Sequence, residues 1–189
     1  MSAYETDIKN CMNYMQQHGV ILYPTDTIWG LGCDAMDVKA IRKIYDIKKR
    51  DEYKNFVLLM TDVKQLNQYI ASPLPDLQSV LDQFEQPTTI IYPDCINLSE
   101  EVMGPNQTIA VRITKDPFCR SLIKRLKRPI VSTSANLSGQ QSPLFFDLIS
   151  AEIKAGVDYI VTWRQDDDIP CQASTILKLN KEGSFDKIR

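Results

Sequence analysis

Hydrophobic residues near the start of the chain recur with helical spacing and then run together. Ile8, Cys11 and Met15 fall on one face of a helix. Gly19 ends that pattern, and residues 20–23 form a continuous apolar run. A short apolar run that follows a turn residue is typical of a buried strand. The sequence therefore predicts a helix followed by a strand as its first unit.

The alternation of helical and strand patterns continues to the end of the chain. Helices are predicted over residues 38–47, 63–70, 77–84, 118–126 and 145–154, and strands over residues 56–60, 89–92, 109–113, 130–132, 159–162 and 174–177. No internal repeat, low-complexity tract or Gly/Ser-rich linker marks a boundary in the sequence. The pattern predicts an α/β fold and a single domain over residues 1–189.

Composition and charge narrow the possible function classes. The chain has 189 residues, of which 43% are hydrophobic, and this is enough for one buried core. Its 22 basic and 24 acidic residues leave a formal net charge of −2, so it lacks the overall positive field of a typical nucleic-acid-binding domain. The sequence contains no run of about 18 apolar residues, and its first residues lack the pattern of a signal peptide. We therefore expect a cytoplasmic protein whose cationic groups act locally.

Cysteine and histidine usage argues against a zinc site and against thiol or serine-triad catalysis. The five cysteines include no Cys-x-x-Cys pair. The single histidine, His18, follows the first predicted helix, where an exposed position is expected. Asp166, Asp167 and Asp168 form either a metal-binding triplet or a solvated loop. The loop is favoured, because consecutive acidic side chains point in different directions.

Two polar segments carry groups that suit an anionic ligand. Residues 132–139, STSANLSG, follow an apolar lead-in and offer hydroxyls, an amide and backbone N–H groups. Residues 24–32, PTDTIWGLG, place hydroxyls and a carboxylate at a strand end, before glycines that permit close backbone approach. Neither G-x-x-x-x-G-K-[ST] nor G-x-G-x-x-G occurs. A bound nucleotide would therefore be held in another way.

Basic residues supply candidate partners for such a ligand. Lys48, Arg50 and Lys54 connect a predicted helix to a predicted strand, so they either converge on a polyanion such as a triphosphate or reflect the preference of cations for helix C-termini. Arg112 interrupts an apolar strand pattern, so it either faces inward to pair with a bound carboxylate or lies on an exposed strand face. A second basic group is predicted on the solvent face of a helix, and it comprises Arg120, Lys124, Arg125, Lys127 and Arg128.

These segments together resemble the YrdC-like threonylcarbamoyl-AMP synthase family, and the likeness extends from Ile21 to Arg189. The family's PTDTxYGLG corresponds to residues 24–32, with Trp29 in place of Tyr, and its KxR with a later Lys corresponds to Lys48, Arg50 and Lys54. Its TxAVR matches residues 108–112, its SxSANxSG matches 132–139, its late STI matches 174–176, and its C-terminal Arg matches Arg189. Two departures occur: residues 85–89 read EQPTT where the family has PGPxT, and Asn55 stands where Pro or Gly is usual.

The resemblance implies a fold and a reaction. The fold is an α/β, YrdC-like twisted open mixed sheet, flanked by helices, with a concave and positively charged pocket. The reaction is that of a nucleotidyltransferase, which makes threonylcarbamoyl-AMP and pyrophosphate from L-threonine, bicarbonate and ATP with Mg²⁺. The product serves threonylcarbamoyladenosine modification of tRNA by a separate transferase complex, so direct tRNA binding is expected to be weak or absent. The chain resembles the short, single-domain form of the family.

The same resemblance assigns roles to individual residues. The residues expected to bind ATP are Lys48, Arg50, Lys54, Thr108, Ser132, Ser134, Asn136 and Arg189, and those expected to bind threonine are Thr27, Arg112 and Ser174. The first three of these residues are also expected to act in catalysis, by positioning and by stabilising phosphate charge. No side chain is assigned as a metal ligand.

Two rival functions fit parts of the sequence. One is an RNA-binding module without chemistry, in which Lys48, Arg50 and the second basic group hold phosphates. The other is a carbamoyl-transfer domain related to hydrogenase-maturation proteins, which would use carbamoyl phosphate. The cysteine pattern lacks the spacing for the zinc-finger segments that accompany that second class.

Overall fold

The computed structural model describes residues 3–49, 56–168, 170, 172–180 and 182–189. The helices within these ranges are α1 (Glu5–Met15), α2 (Val38–Lys48), α3 (Val63–Leu66), α4 (Leu77–Asp82), α5 (Pro117–Leu126) and α6 (Ala151–Gly156). The strands are β1 (Ile21–Tyr23), β2 (Gly30–Asp34), β3 (Val57–Met60), β4 (Thr88–Tyr92), β5 (Ile109–Ile113), β6 (Ile130–Ser134), β7 (Tyr159–Ile160), β8 (Thr175–Leu179) and β9 (Phe185–Lys187). Short 3₁₀ turns lie at Glu100–Val102, Pro105–Gln107 and Phe146–Leu148.

These strands form one sheet in the order β7-β1-β2-β6-β3-β5-β4-β8-β9. Strand β1 is parallel to β7, β3 to β5 and β4 to β8, whereas the other neighbouring pairs are antiparallel. The sheet is therefore mixed and open, with β7 and β9 at its edges. This confirms the predicted α/β class and the open mixed sheet.

Strand β2 is the principal element that the sequence pattern failed to predict. Two of its five residues are glycine, which weakens most strands and leaves no strand pattern to detect. In the structure β2 lies near the middle of one half of the sheet, where Gly30 pairs with Tyr23 of β1 and with Ser134 of β6. A Cβ atom on Gly32 would lie 2.6 Å from the Tyr23 ring and 2.9 Å from the Val131 carbonyl oxygen. A side chain at position 32 would therefore clash with the Tyr23 ring and with the backbone of β6.

Two of the three longest helices, α2 and α5, begin at an aspartate cap. Asp37 begins α2, since its side chain accepts hydrogen bonds from two backbone N–H groups of the first turn, and Lys49 ends it in a left-handed conformation. Asp116 begins α5 in the same way. Apolar residues at helical spacing, such as Ile41 and Ile44 of α2, are fully buried. The longest helices contain 11 residues, and no helix in the described part of the chain is long and apolar enough to cross a bilayer.

Three other regions differ from their sequence patterns. The helix predicted over residues 63–70 is a single turn, because Ile70 leaves it to form a β-bridge with Cys95. The helix predicted over residues 145–154 begins only at Ala151, where the Ser150 hydroxyl accepts from the Ile153 N–H. The segment before it forms a 3₁₀ turn. Strand β9 was not predicted, since three residues carry too little periodicity to detect.

Candidate active site

One cavity collects most of the predicted site residues that the structure describes. It has a volume of about 220 Å³ and lies where the β1–β2 turn, β5, β6 and the start of β8 meet. Predicted residues that line it are Thr27, Arg112, Ser132, Ser134, Ser174 and Arg189. Hydroxyl groups and two guanidinium groups therefore share one cavity, although they lie far apart in sequence.

Arg112 lies at the centre of this arrangement. The residue is only 5% exposed, so the sequence alternative of an exposed strand face is wrong. Its Nη2 atom lies 3.0 Å from Asp26 Oδ1, an ion pair in a buried setting, and 3.5 Å from the Thr25 hydroxyl. Its Nε atom is buried and has no hydrogen-bond partner among the described residues. A buried donor of this kind is costly to leave unsatisfied, so the geometry favours an acceptor supplied by a ligand.

The turn before β2 is held by the hydroxyl of Thr25. That oxygen donates to the Ile28 carbonyl at 2.8 Å, accepts from the Thr27 N–H at 3.0 Å and lies 2.9 Å from the Thr27 hydroxyl. Asp26 is fixed from its other side, because Oδ2 accepts from the Thr114 hydroxyl at 3.1 Å. The turn therefore places Thr27 in the cavity and the Asp26 carboxylate beside Arg112.

Ser174 supplies the opposite wall of the cavity. Its hydroxyl is hydrogen bonded to that of Thr89 at 2.8 Å, and both residues are buried. Its carbonyl accepts from Arg189 Nη2 at 3.0 Å. This bond holds the exposed Arg189 guanidinium at the rim, where it can meet an anion that enters the cavity.

The loop after β6 is stabilised by its own amide and by a lysine. Asn136 Nδ2 donates to the carbonyls of Leu137 and Gln140, both at 2.8 Å. Lys48 is 3% exposed, and its ammonium donates to the carbonyls of Ser134 and Asn136 at 2.5 and 2.6 Å. The Lys48 carbonyl in turn accepts from the N–H of Ser138 at 2.8 Å. Lys48 therefore joins the end of α2 to the loop that was predicted to bind ATP.

Of the remaining predicted ATP-binding residues, only Thr108 lies in the described part of the chain. Arg50 and Lys54 lie outside the described residues, as does Asn55, so the structure does not place them. Thr108 stands just before β5 and is not part of the cavity lining, and its hydroxyl donates to the Pro105 carbonyl at 2.9 Å. Thr108 is thus four residues from Arg112 along the chain but at the other end of the strand.

Sequence reasoning missed two contributions to the site. Trp29 lines the cavity and packs against Phe146, with ring centroids 4.8 Å apart. Asp26 pairs with Arg112 across 86 positions, a contact for which a single sequence carries no signal. Both residues lie in the PTDTIWGLG segment, so the segment was recognised but not these roles.

The described cysteines carry no reactive thiol. Cys11, Cys33, Cys95 and Cys119 are free and buried, and Cys171 lies outside the described residues. Burial raises the thiol pKa of Cys33 and Cys119 well above the ordinary value, which keeps these thiols protonated at neutral pH. His18 lies away from the cavity, with its Nδ1 atom 2.7 Å from Asp37 Oδ2.

The acidic triplet of residues 166–168 was a candidate metal site. Asp166, Asp167 and Asp168 are exposed, as the loop interpretation predicted. Within the described ranges, no group of three or more His, Cys, Asp or Glu residues is placed to hold a metal ion.

The second basic group is largely engaged with the chain itself. Arg120 donates to the carbonyls of Thr61 and Thr114, at 2.7 and 3.2 Å. Arg125 pairs with Glu5 and Arg128 with Asp34. Lys124, Arg125, Lys127 and Arg128 are exposed, as predicted for the solvent face of a helix, and Arg120 is half-buried. The ion pairs of Arg125 and Arg128 reduce the charge that this surface offers to RNA.

Comparisons with known proteins agree on a family. A profile of the Sua5, YciO and YrdC proteins, described as "Telomere recombination", matches residues 13–189. The threonylcarbamoyl-AMP synthase of Psychromonas ingrahamii is 32% identical over 154 residues, which cover 80% of this chain and 81% of that protein. The crystal structure of E. coli YciO superposes with a TM-score of 0.82 at 22% identity, over 97% of this chain and 88% of that chain. P. abyssi Sua5 complexed with L-threonine gives 0.85 at 22% identity, over 100% of this chain and 55% of that chain.

The buried contacts of Lys48 predict a large effect on stability. Lys48→Met keeps an apolar stem but removes the ammonium donor from the Ser134 and Asn136 carbonyls, of which the Ser134 carbonyl still accepts from the Asn136 N–H. The variant should therefore lower the free energy of unfolding by about 1–3 kcal/mol. Lys49→Met is the matched control, because the ammonium of Lys49 forms an exposed ion pair with Glu152, and loss of an exposed pair should cost less than about 1 kcal/mol. Urea denaturation measures both. Equal losses in the two variants would contradict the role assigned to Lys48.

Proposed function

The chain belongs to the Sua5/YciO/YrdC family, and on that premise we propose the reaction that its cavity performs. It is a threonylcarbamoyl-AMP synthase, a nucleotidyltransferase that joins L-threonine, bicarbonate and ATP to give threonylcarbamoyl-AMP and pyrophosphate. The observation that carries the proposal is Arg112, a buried guanidinium that borders a hydroxyl-lined cavity and whose Nε donor has no partner among the described residues. An amino-acid carboxylate is the ligand that such a fork binds best.

The threonine half of the reaction is assigned to Arg112, Thr27 and Ser174. Arg112 Nε donates to the substrate carboxylate, and the two hydroxyls orient it from opposite walls. The threonine amine then lies toward the open part of the cavity, where it combines with bicarbonate, losing water, to form a carbamate. Discrimination in favour of threonine requires contact with its methyl group, for which Val57 and Ile176 offer apolar surface in the cavity.

The nucleotide half needs no protein nucleophile. A carbamate oxygen attacks the α-phosphorus of ATP, and the bond from that phosphorus to the bridging oxygen breaks to release pyrophosphate. Positioning and cationic stabilisation then account for catalysis. This agrees with the protonated, buried state of Cys33 and Cys119.

ATP is assigned to the side of the cavity formed by β6 and its loop. Ser132 and Ser134 line the cavity there, and Arg189 stands at its rim. Lys48 and Asn136 hold the loop in shape through the bonds described above. On the strength of the family motif, Arg50 and Lys54 are assigned to the phosphates of ATP. The same motif assigns both of them, with Lys48, to catalysis. Thr108 is assigned to ATP on the same ground alone.

Mg²⁺ is proposed to arrive with ATP. The hydroxyl oxygens of the lining fit a hard cation, which prefers oxygen ligands and relies mostly on substrate phosphates and water. When bound, the ion neutralises phosphate charge. The protein's own contribution is to hold the hydroxyls and guanidinium groups around the nucleotide.

The charge of the cavity, the domain organisation, the cellular location and the partners of the enzyme are also proposed. The cavity should be positive, since Arg112 and Arg189 line it and no carboxylate does so among the described residues. A single domain is supported by the single sheet that the described strands form. The free state of the described cysteines fits the reducing cytoplasm.

The product would pass to a tRNA threonylcarbamoyl transferase complex. The contacts that Arg120, Arg125 and Arg128 make within the chain favour weak or no direct tRNA binding.

The reaction predicts a strict substrate requirement. Purified protein incubated with ATP, Mg²⁺, L-threonine and bicarbonate should release pyrophosphate and form threonylcarbamoyl-AMP, detected by mass spectrometry. Omission of threonine or bicarbonate should abolish both products. L-serine should react less efficiently by about 10- to 200-fold, because it lacks one methyl group in the pocket. Pyrophosphate release that is unchanged without threonine would contradict the proposal.

The two halves of the site should separate in binding measurements. Arg112→Lys keeps the charge beside Asp26 but loses the guanidinium fork, so it should weaken threonine binding at least tenfold, as expected for loss of a charge-assisted hydrogen bond worth about 1.5–3 kcal/mol. ATP affinity should change little. Arg50→Ala should weaken ATP binding and leave threonine affinity nearly unchanged. Calorimetry decides, and intact threonine affinity in Arg112→Lys would show that the carboxylate is held elsewhere.

A further inference from the structure

Arg164 occupies a position that neither the sequence motifs nor the proposed reaction uses. It follows β7 and adopts a left-handed backbone conformation, with φ of 67°, which is unfavourable for a residue with a side chain. Its Nε atom donates to Asp167 Oδ2 at 2.5 Å. Its Nη1 atom donates to the Thr25 carbonyl and to Asp116 Oδ2, both at 3.2 Å. One guanidinium thus binds three acceptors from three parts of the chain.

The backbone that carries Arg164 is itself fixed. Asp7 of α1 is buried, and its carboxylate accepts from the N–H groups of Thr162 and Trp163, each at 3.0 Å, and from the Thr162 hydroxyl at 2.9 Å. The hydroxyl of Tyr159 donates to the same carboxylate at 2.5 Å. Arg164 is the next residue, so its side chain starts from a point tied to α1.

The acceptors of Arg164 lie behind the threonine side of the cavity. Thr25 organises the turn that carries Asp26 and Thr27. The N–H of Asp116 donates to the Thr114 hydroxyl at 3.2 Å, and that hydroxyl donates to Asp26 Oδ2. The guanidinium therefore supports the turn at the Thr25 carbonyl and, through Asp116 and Thr114, at the Asp26 carboxylate that faces Arg112.

We propose that Arg164 is a positioning residue for threonine, which holds the Thr25–Thr27 turn so that Asp26 orients Arg112 toward the substrate carboxylate. This inference rests on the proposed function, since it specifies how the threonine half of that site is kept in place. Arg164 does not line the cavity, so it acts through the turn. Only a planar fork reaches all three acceptors, and a lysine ammonium does not replace it.

The test compares Arg164→Ala and Arg164→Lys with Arg125→Ala. Arg125 is a matched control, because it also pairs with a carboxylate, Glu5, at 2.7 and 2.8 Å, but lies on the outer face of α5. Both Arg164 variants should raise the dissociation constant for L-threonine and its KM at least fivefold. The dissociation constant for ATP should stay within twofold, and Arg125→Ala should leave all these values unchanged. Arg164→Lys keeps a cation near Asp116 and serves where the alanine variant folds poorly.

A double-mutant cycle distinguishes positioning from general destabilisation. In an Arg112→Lys background, Arg164→Lys should reduce threonine affinity much less than it does in wild type. The Arg112 guanidinium that Arg164 helps to orient is then already absent. Additive losses, or equal losses in threonine and ATP affinity, would overturn the positioning role. Wild-type protein that binds no threonine would instead overturn the proposed function and this inference with it.

Discussion

The buried ion pair between Arg112 and Asp26 is the constraint on which the rest of the site depends. A guanidinium in the interior of a sheet is tolerated only when charge and hydrogen bonds compensate for its lost hydration. Asp26 supplies the charge at 3.0 Å, but the Nε donor stays unsatisfied within the described residues. In the proposed reaction the substrate carboxylate completes this compensation, and for that reason Arg112 is assigned to binding rather than to a purely structural role.

The fold brings the remaining groups to this pair through strand pairing. Antiparallel pairing of β2 with β6 sets Gly30 opposite Ser134, so the turn before β2 and the loop after β6 leave the sheet side by side. Parallel pairing of β4 with β8 places Thr175 beside Thr88, which brings Ser174 next to Thr89. Lys48 then fixes the β6 loop by bonds to two of its carbonyls. The turn before β2, the start of β8 and the loop after β6, which carry the residues assigned to the two halves of the proposed reaction, are thus each held by contacts of their own.

Periodicity predicted most of the fold, since the apolar faces of α1, α2 and α5 and the runs of β3 and β5 follow their helical and strand spacings. It failed for β2, where Gly32 is required because the Tyr23 ring and the Val131 carbonyl leave no room for a side chain. The family resemblance pointed to six residues that line the cavity, and the hydroxyl-rich segments at strand ends were also recognisable from their own chemistry. The partners Asp26 and Arg164 escaped prediction, since their roles arise from contacts across 86 and 139 positions. Lys48 was predicted as a phosphate ligand, and its contacts with the β6 loop were not foreseen.

The central claim is that a substrate carboxylate completes the hydrogen bonding of Arg112. A crystal structure of this chain with L-threonine bound tests it most directly. The account predicts that the carboxylate accepts from Arg112 Nε, with Thr27 and Ser174 on either side and the Arg112–Asp26 pair intact. Threonine bound outside this cavity, or bound within it with Arg112 Nε still lacking a partner, would contradict the account.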